Sequence, residues 1–293
     1  MSPIDLASII LLPALWAGSF VLQRVIVLDM GVFSMTFWRL VIAGVSLLVI
    51  LRAMRIPLDW QRHWRAYFMC ALMMSGIPWI VIAFASLHLP AAYISIISST
   101  SPLWGTVIGL RLHGEPITRS VMGGIATGIS GIAVITWRGD NSVHDPLMFW
   151  LSIGGMLALQ VMSGFAAIWI KRVCAHTQSH ALSTGTMLAS AVLLSPAMAI
   201  PMTKPLTMPT VVELLVFAVI CSAFAQLLYF RLLTRVTAVQ ALATTYLIPA
   251  FTALWAWMFL SEPITWRIVV GSVLVLSGIS LITLGKAGTT GKS

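Results

Sequence analysis

A segment of this chain occurs twice, 147 positions apart and without a gap, and that repetition limits the fold more than any other feature. Residues 98–136 carry Pro102, Glu115-Pro116-Ile117-Thr118, Gly124, Ser130-Gly131-Ile132 and Ile135-Thr136. Residues 245–283 carry Pro249, Glu262-Pro263-Ile264-Thr265, Gly271, Ser277-Gly278-Ile279 and Ile282-Thr283 in the same register. Eleven identities over such a window, several of them Glu or Pro where both are scarce, do not follow from apolar composition. The chain is an internal duplication. Its copies are expected to divide as residues 1–140 and 141–293, with the polar turn Trp137 to Pro146 at the boundary.

The environment follows from charge. Only 9% of residues are charged and 59% are hydrophobic, whereas a soluble domain carries about a quarter charged residues. In lipid the backbone must satisfy itself, which leaves helices or closed barrels, and long apolar runs without alternation exclude the barrel. The expected fold is therefore an all-α polytopic membrane protein with ten transmembrane helices. They are placed at Ile4–Leu28, Val32–Leu51, Trp64–Leu87, Ala91–Leu110, Ser120–Thr136, Leu147–Ile170, Ala181–Ile200, Val211–Leu233, Ala238–Leu260 and Trp266–Leu284. Five helices per copy is an odd number, so the second copy enters the membrane from the opposite side. Two inverted five-helix repeats are the pattern of alternating-access carriers.

The net charge of +9 does not indicate nucleic acid, because the Lys and Arg residues fall singly between apolar runs. They act as topology signals. With a cytoplasmic N-terminus, Arg52, Arg55, Arg62, Arg65, Arg111, Arg119, Lys171, Arg172, Arg231, Arg235, Lys286 and Lys292 lie inside, against Arg138, Lys204 and Arg267 outside. Both termini are then cytoplasmic. The first apolar run lacks a preceding Lys or Arg and is expected to be a retained helix rather than a signal peptide. Trp60, Trp64, Trp137 and Trp150 suit membrane-interface positions.

Several chemistries are disfavoured. Cys70, Cys174 and Cys221 are far apart and odd in number, which argues against a disulfide framework or a metal site. No HExxH, GxSxG or close carboxylate pair falls at membrane depth, so neither enzyme activity nor a cofactor is expected. Every Asp and Glu lies at or beyond a helix end, which disfavours coupling through a buried carboxylate. His88, near an outer turn, is the remaining candidate titrating group.

The offset also indicates where a site would form. It pairs Trp79 with Gln226, Ser75 with Ser222, Trp16 with Ser163 and Pro102 with Pro249. The two prolines would free the carbonyls of Ser98 and Thr245 and act as helix hinges. Mid-helix polar and aromatic residues complete the candidate cavity: Trp16, Ser19, Trp79, Tyr93, Ser98, Gln160, Ser163, Gln226, Tyr229, Thr245 and Tyr246. A buried Gln is more often interhelical glue than a ligand contact. Gly124 and Gly131, which recur as Gly271 and Gly278, read as a repeated packing device. Such a lining suits a small molecule with a polar head and an apolar body, such as an amino acid. A cationic drug held by cation–π contacts is the alternative. A phosphate would need a basic pocket, and only Arg24 and Arg39 approach mid-depth.

Leu15-Trp16-Ala17-Gly18-Ser19-Phe20, Phe37-Trp38-Arg39 and the doubled Pro, Glu-Pro-Ile-Thr, Gly, Ser-Gly-Ile pattern resemble the EamA-type repeats of the drug/metabolite transporter superfamily. The resemblance spans residues 4–284 and is strongest to bacterial exporters of aromatic and broad-range amino acids. It implies a multi-pass protein of the bacterial inner membrane, compatible with a monomer, which moves amino acids outward through a central cavity between the repeats. The two glutamates of the Glu-Pro-Ile-Thr turns are expected to brace helix ends. At the offset of Phe37-Trp38-Arg39 the second copy has Thr184-Gly185-Thr186, so the early helices of the copies have diverged.

Overall fold

The computed structural model describes residues 3–112, 118–136, 145–173, 178–229 and 238–290, and no strand occurs among them. Helix α1 (Pro3–Met30) and α2 (Val32–Ala53) meet at Gly31. Its φ of 75° lets the chain reverse within one residue, a conformation that glycine adopts without steric cost. A long third span follows as α3 (Trp60–Cys70), a π-helical turn (Ala71–Gly76) and α4 (Ile77–His88). Then come α5 (Ala91–Ser98), α6 (Ser101–Leu112), α7 (Arg119–Thr136), α8 (Pro146–Val173) and α9 (Ser179–Leu193). A 3₁₀ turn (Ser195–Ala199) leads to α10 (Met208–Leu215), a second π-helical turn (Val216–Phe224) and a helical stretch over 225–229. The last two helices are α11 (Ala238–Leu260) and α12 (Trp266–Thr290).

Six helices among the described residues are long and apolar enough to cross a bilayer: Ala7–Met30, Val32–Ala53, Trp60–His88, Arg119–Thr136, Pro146–Ala166 and Met208–Tyr229. The fourth expected helix departs from a single rod. It breaks at Ser99-Thr100, and Pro102 stands second in the new helix α6 instead of kinking a continuous one. Proline cannot donate to the carbonyl of Ser98 four residues earlier, and the neighbouring hydroxyls turn back onto α5 carbonyls that backbone N–H groups also reach. Ser99 Oγ donates to Ser95 O at 2.9 Å and Thr100 Oγ1 to Ile97 O at 2.7 Å. Its counterpart Pro249 sits inside α11, which continues through it. The Glu115 turn, apart from Thr118, and Cys174 lie outside the described residues.

Nothing in the sequence pattern announces the two π-helical turns. Each inserts a residue into the i→i+4 ladder, and the offset carries Ala71–Gly76 onto 218–223, within the second turn. Such turns are uncommon and concentrate at functional sites.

Helices α7 and α12 pack along each other through glycine. A Cβ on Gly131 would lie 2.7 Å from Gly271 O, and one on Gly278 would lie 2.8 Å from Gly128 N and against Gly124 O. The offset turns Gly124 into Gly271 and Gly131 into Gly278, so the contact is reciprocal, as a two-fold relation requires. A large apolar cluster surrounds this pair, with Tyr93, Ile97, Phe149, Met156 and Val275 among its members. A separate cluster joins α1 and α2 to the second π-helical turn through Ile26, Met35 and Phe217.

Candidate functional site

A cavity of about 470 Å³ lies among α1, α2, the third span, α9 and the second π-helical turn. That size falls within the range of small-molecule sites, roughly 300–1,000 Å³. Trp16, Ser19, Phe20 and Gln23 face it from α1, and Arg39 from α2. Met74, Ser75 and Trp79 come from the third span, and Ser183, Thr186 and Met187 from α9. Cys221, Ser222, Gln226 and Tyr229 close the opposite wall, with Ile248 from α11. Both π-helical turns contribute, since Ser75 and Ser222, equivalent under the offset, each line the cavity.

Arg39 dominates the electrostatics. Only 8% of the residue is exposed. Its guanidinium carbon lies 3.7 Å from the centroid of the Trp79 ring and 3.9 Å from that of Phe217, so both faces of the cation are covered. Nε donates to Ser222 Oγ at 3.0 Å and Nη1 to Gln23 Oε1 at 3.1 Å. Each acceptor is itself held: Ser222 Oγ donates to Phe217 O at 2.9 Å, and Gln23 Nε2 donates to Ser86 Oγ at 3.0 Å. The network ties α1, α2, α4 and the second π-helical turn together through neutral groups. Two ion pairs form among the described residues, and Arg39 belongs to neither.

Both ion pairs lie at the end of the bundle where α1 finishes. Arg24 Nε pairs with Glu262 Oε1 at 2.8 Å, and the same arginine donates from Nη1 to Ser86 O at 3.0 Å and to Leu89 O. Glu262 Oε2 accepts from the Ala91 amide, the first residue of α5, at 3.1 Å. A carboxylate at that position satisfies an otherwise orphaned helix N–H and opposes the positive end of the helix dipole. The glutamate therefore braces helix ends and stays away from the cavity. Lys204 Nζ pairs with Asp29 Oδ1 at 2.8 Å, and Thr210 Oγ1 donates to Asp29 Oδ2 at 3.1 Å.

Of the residues singled out from sequence, Trp16, Ser19, Trp79, Gln226 and Tyr229 stand at the cavity wall. Tyr93, Ser98, Gln160 and Ser163 do not. Tyr93 is packed in the cluster around α7 and α12. Gln160 satisfies its amide within its own helix, Nε2 donating to Met156 O at 3.3 Å. Ser98 is turned inward beside the α5–α6 break, where its hydroxyl has no hydrogen-bond partner among the described residues. Ser163 neighbours Gly164, at which α8 packs so closely on α6 that an added Cβ would meet Gly105 Cα at 2.9 Å. The side chains of Thr245 and Tyr246 lie outside the described ones. Sequence reasoning missed Gln23 and Ser183, and it treated Arg39 as a charge approaching mid-depth rather than as part of the wall.

Residues 5–137 and 150–284 each match the EamA-like transporter family. The chain belongs to the EamA-like transporter family. Similar curated proteins include an uncharacterised transporter of Archaeoglobus fulgidus, 24% identical over 92% of this chain and 93% of that protein. A probable terminal-alkyne amino-acid exporter of Streptantibioticus cattleyicolor is 23% identical over 97% of both chains. A solved crystal structure shares the fold at a TM-score of 0.66, with 15% identity over 94% of this chain and 95% of that one. The cavity thus lies in a member of a membrane-embedded transporter family.

Proposed function

We propose that this EamA-like transporter exports amino acids across a bacterial inner membrane by alternating access through the Arg39 cavity. The carrying observation is the cavity itself: aromatic and aliphatic walls, polar groups at few points, and both π-helical turns bordering it. Ten helices in two inverted repeats, residues 1–140 and 141–293, are part of the proposal. The doubled family match and the reciprocal Gly124–Gly278 and Gly131–Gly271 contacts support it. The distribution of Lys and Arg supports cytoplasmic termini, which puts the Glu262 and Lys204 braces on the outer face. The lining runs from Arg39 toward Ser183 and Tyr229, near the opposite end of the bundle, as in a carrier closed outside. Export of an amino acid is supported by the Streptantibioticus relative's name. A cationic drug is the poorer occupant, because Arg39 puts a fixed positive charge in the wall.

The test is exchange of labelled amino acids by purified protein in liposomes, with and without a pH gradient. Exchange without a gradient is expected, since no carboxylate among the described residues lines the cavity. Failure of all twenty amino acids to move, while a cationic dye does, would overturn the proposal. Gln226 lines the cavity half-buried and forms no hydrogen bond among the described residues, so its truncation orphans no partner there. Gln226→Ala is expected to leave thermal stability within about 0.5 kcal/mol while changing the transport rate severalfold, measured on the same preparation. A purely structural glutamine would lower stability instead.

A further inference from the structure

We infer that Arg39 is a carboxylate-binding group, so that the cavity selects occupants by a carboxylate head and not by an ammonium group. The inference rests on the proposed transport of amino acids and adds which half of the molecule is recognised, and by what.

A guanidinium has five N–H donors in a planar fork. Arg39 uses two of them, on Ser222 and Gln23, and Nη2 donates to nothing among the described residues. Trp79 and Phe217 cover the two faces, which leaves the nitrogen-bearing edge as the approach for a further group. An edge-on, coplanar partner with two oxygens is the geometry of a bidentate carboxylate. Burial reinforces this. A cation held by neutral acceptors and aromatic rings keeps much of its desolvation cost, and an anion supplied by the cavity's occupant would offset it. Ionisable groups inside a membrane-embedded bundle are costly and tend to mark substrate paths.

The wall also explains why the other end of an amino acid contributes less. No Asp or Glu among the described residues lines the cavity, so an ammonium group finds only aromatic faces such as the adjacent Trp16 and Tyr229 rings, 5.3 Å apart. Ser183 Oγ, buried at the wall without a hydrogen-bond partner among the described residues, is a second polar point for the occupant's body. The cation also belongs to one copy alone, because the offset places Thr186 at the position equivalent to Arg39, and Thr186 lines the same cavity. One positively charged side and one neutral side orient an occupant.

The experiment measures binding to purified wild-type protein and to Arg39→Gln and Arg39→Lys, using tryptophan fluorescence, with competition against labelled substrate in liposomes. The compounds are phenylalanine, leucine and threonine, each as free acid and as amide, together with 3-phenylpropionate and phenethylamine. The expected result for the wild type is binding of phenylalanine and 3-phenylpropionate within about tenfold of each other, with phenylalaninamide and phenethylamine at least about thirtyfold weaker. In Arg39→Gln the acid should lose its advantage over the amide. Arg39→Lys should recover it in part, because it keeps the charge without the fork. If acid and amide bind the wild type equally, or the advantage persists in folded Arg39→Gln, the carboxylate assignment is overturned and transport through the cavity stands. If no compound of either series binds or moves, the amino-acid proposal falls and this inference with it. The wild-type comparison decides the matter even where the Arg39 variants fail to fold.

Discussion

Gly278→Leu is expected to prevent accumulation of folded protein, or to lower its stability by at least about 3 kcal/mol, as read by thermal unfolding in detergent. The side chain would enter a contact in which two helices meet backbone to backbone. A Cβ at this position meets Gly128 N at 2.8 Å and the Gly124 carbonyl. Both obstacles are backbone, so rotamer changes give no relief, and α7 and α12 would have to separate. Gly131→Leu should do the same, because a Cβ there lies 2.7 Å from Gly271 O and 2.9 Å from Val275 N. Gly123 provides the control. It lies on the exposed side of α7, and a Cβ there would find nothing within 4 Å, so Gly123→Leu should stay within about 1 kcal/mol of the wild type.

Glu262→Gln is expected to loosen the braced end of the bundle. The substitution keeps the shape but removes the charge paired with Arg24, whose side chain is 31% exposed while that of Glu262 is 15% exposed. A pair buried to that degree lies between the surface and interior cases, so a loss of about 1–3 kcal/mol is expected. The larger effect should be on the conformational balance. Arg24 and Glu262 join α1, the α4–α5 turn and the α11–α12 turn in one cluster. Weakening it should raise labelling of outer-facing positions by an impermeant reagent about tenfold or more. The 147-residue offset carries Glu262 to Glu115, Arg24 to Lys171 and Ala91 to Ala238. Glu115→Gln is accordingly expected to shift labelling the opposite way. Equal labelling of both variants and the wild type would show that these glutamates do not bias the exchange between states.

The duplicated motifs were legible because they keep one register, and the glycine device within them emerges as a contact between its own copies. Helix positions were legible from apolar runs. The break at Ser99-Thr100 was not, because the equivalent proline of the second copy, Pro249, sits inside an unbroken α11. Mid-helix polarity identified residues that avoid lipid without telling which interior they face. Trp79 and Gln226 face the cavity, whereas Gln160 satisfies itself on Met156 O and Tyr93 fills a packed cluster. Arg39 required tertiary information, since its covering rings, Trp79 and Phe217, are contributed by two spans remote in sequence. The π-helical turns carry no shared local signal, because Gly76 and Pro78 of the first copy correspond to Ala223 and Ala225 of the second.

Protection of Cys221 by substrate tests the cavity as the transport site most directly. Cys221 lines the cavity one residue before Ser222, the Arg39 acceptor. With Cys70→Ser and Cys174→Ser, it becomes the single thiol of the chain. In inverted and right-side-out vesicles, a small methanethiosulfonate reagent should modify it faster from the cytoplasmic side, and saturating phenylalanine should slow that reaction about tenfold or more. Phenylalaninamide should protect far less. Modification at the same rate with and without every amino acid that the protein moves would place the substrate elsewhere and contradict the account.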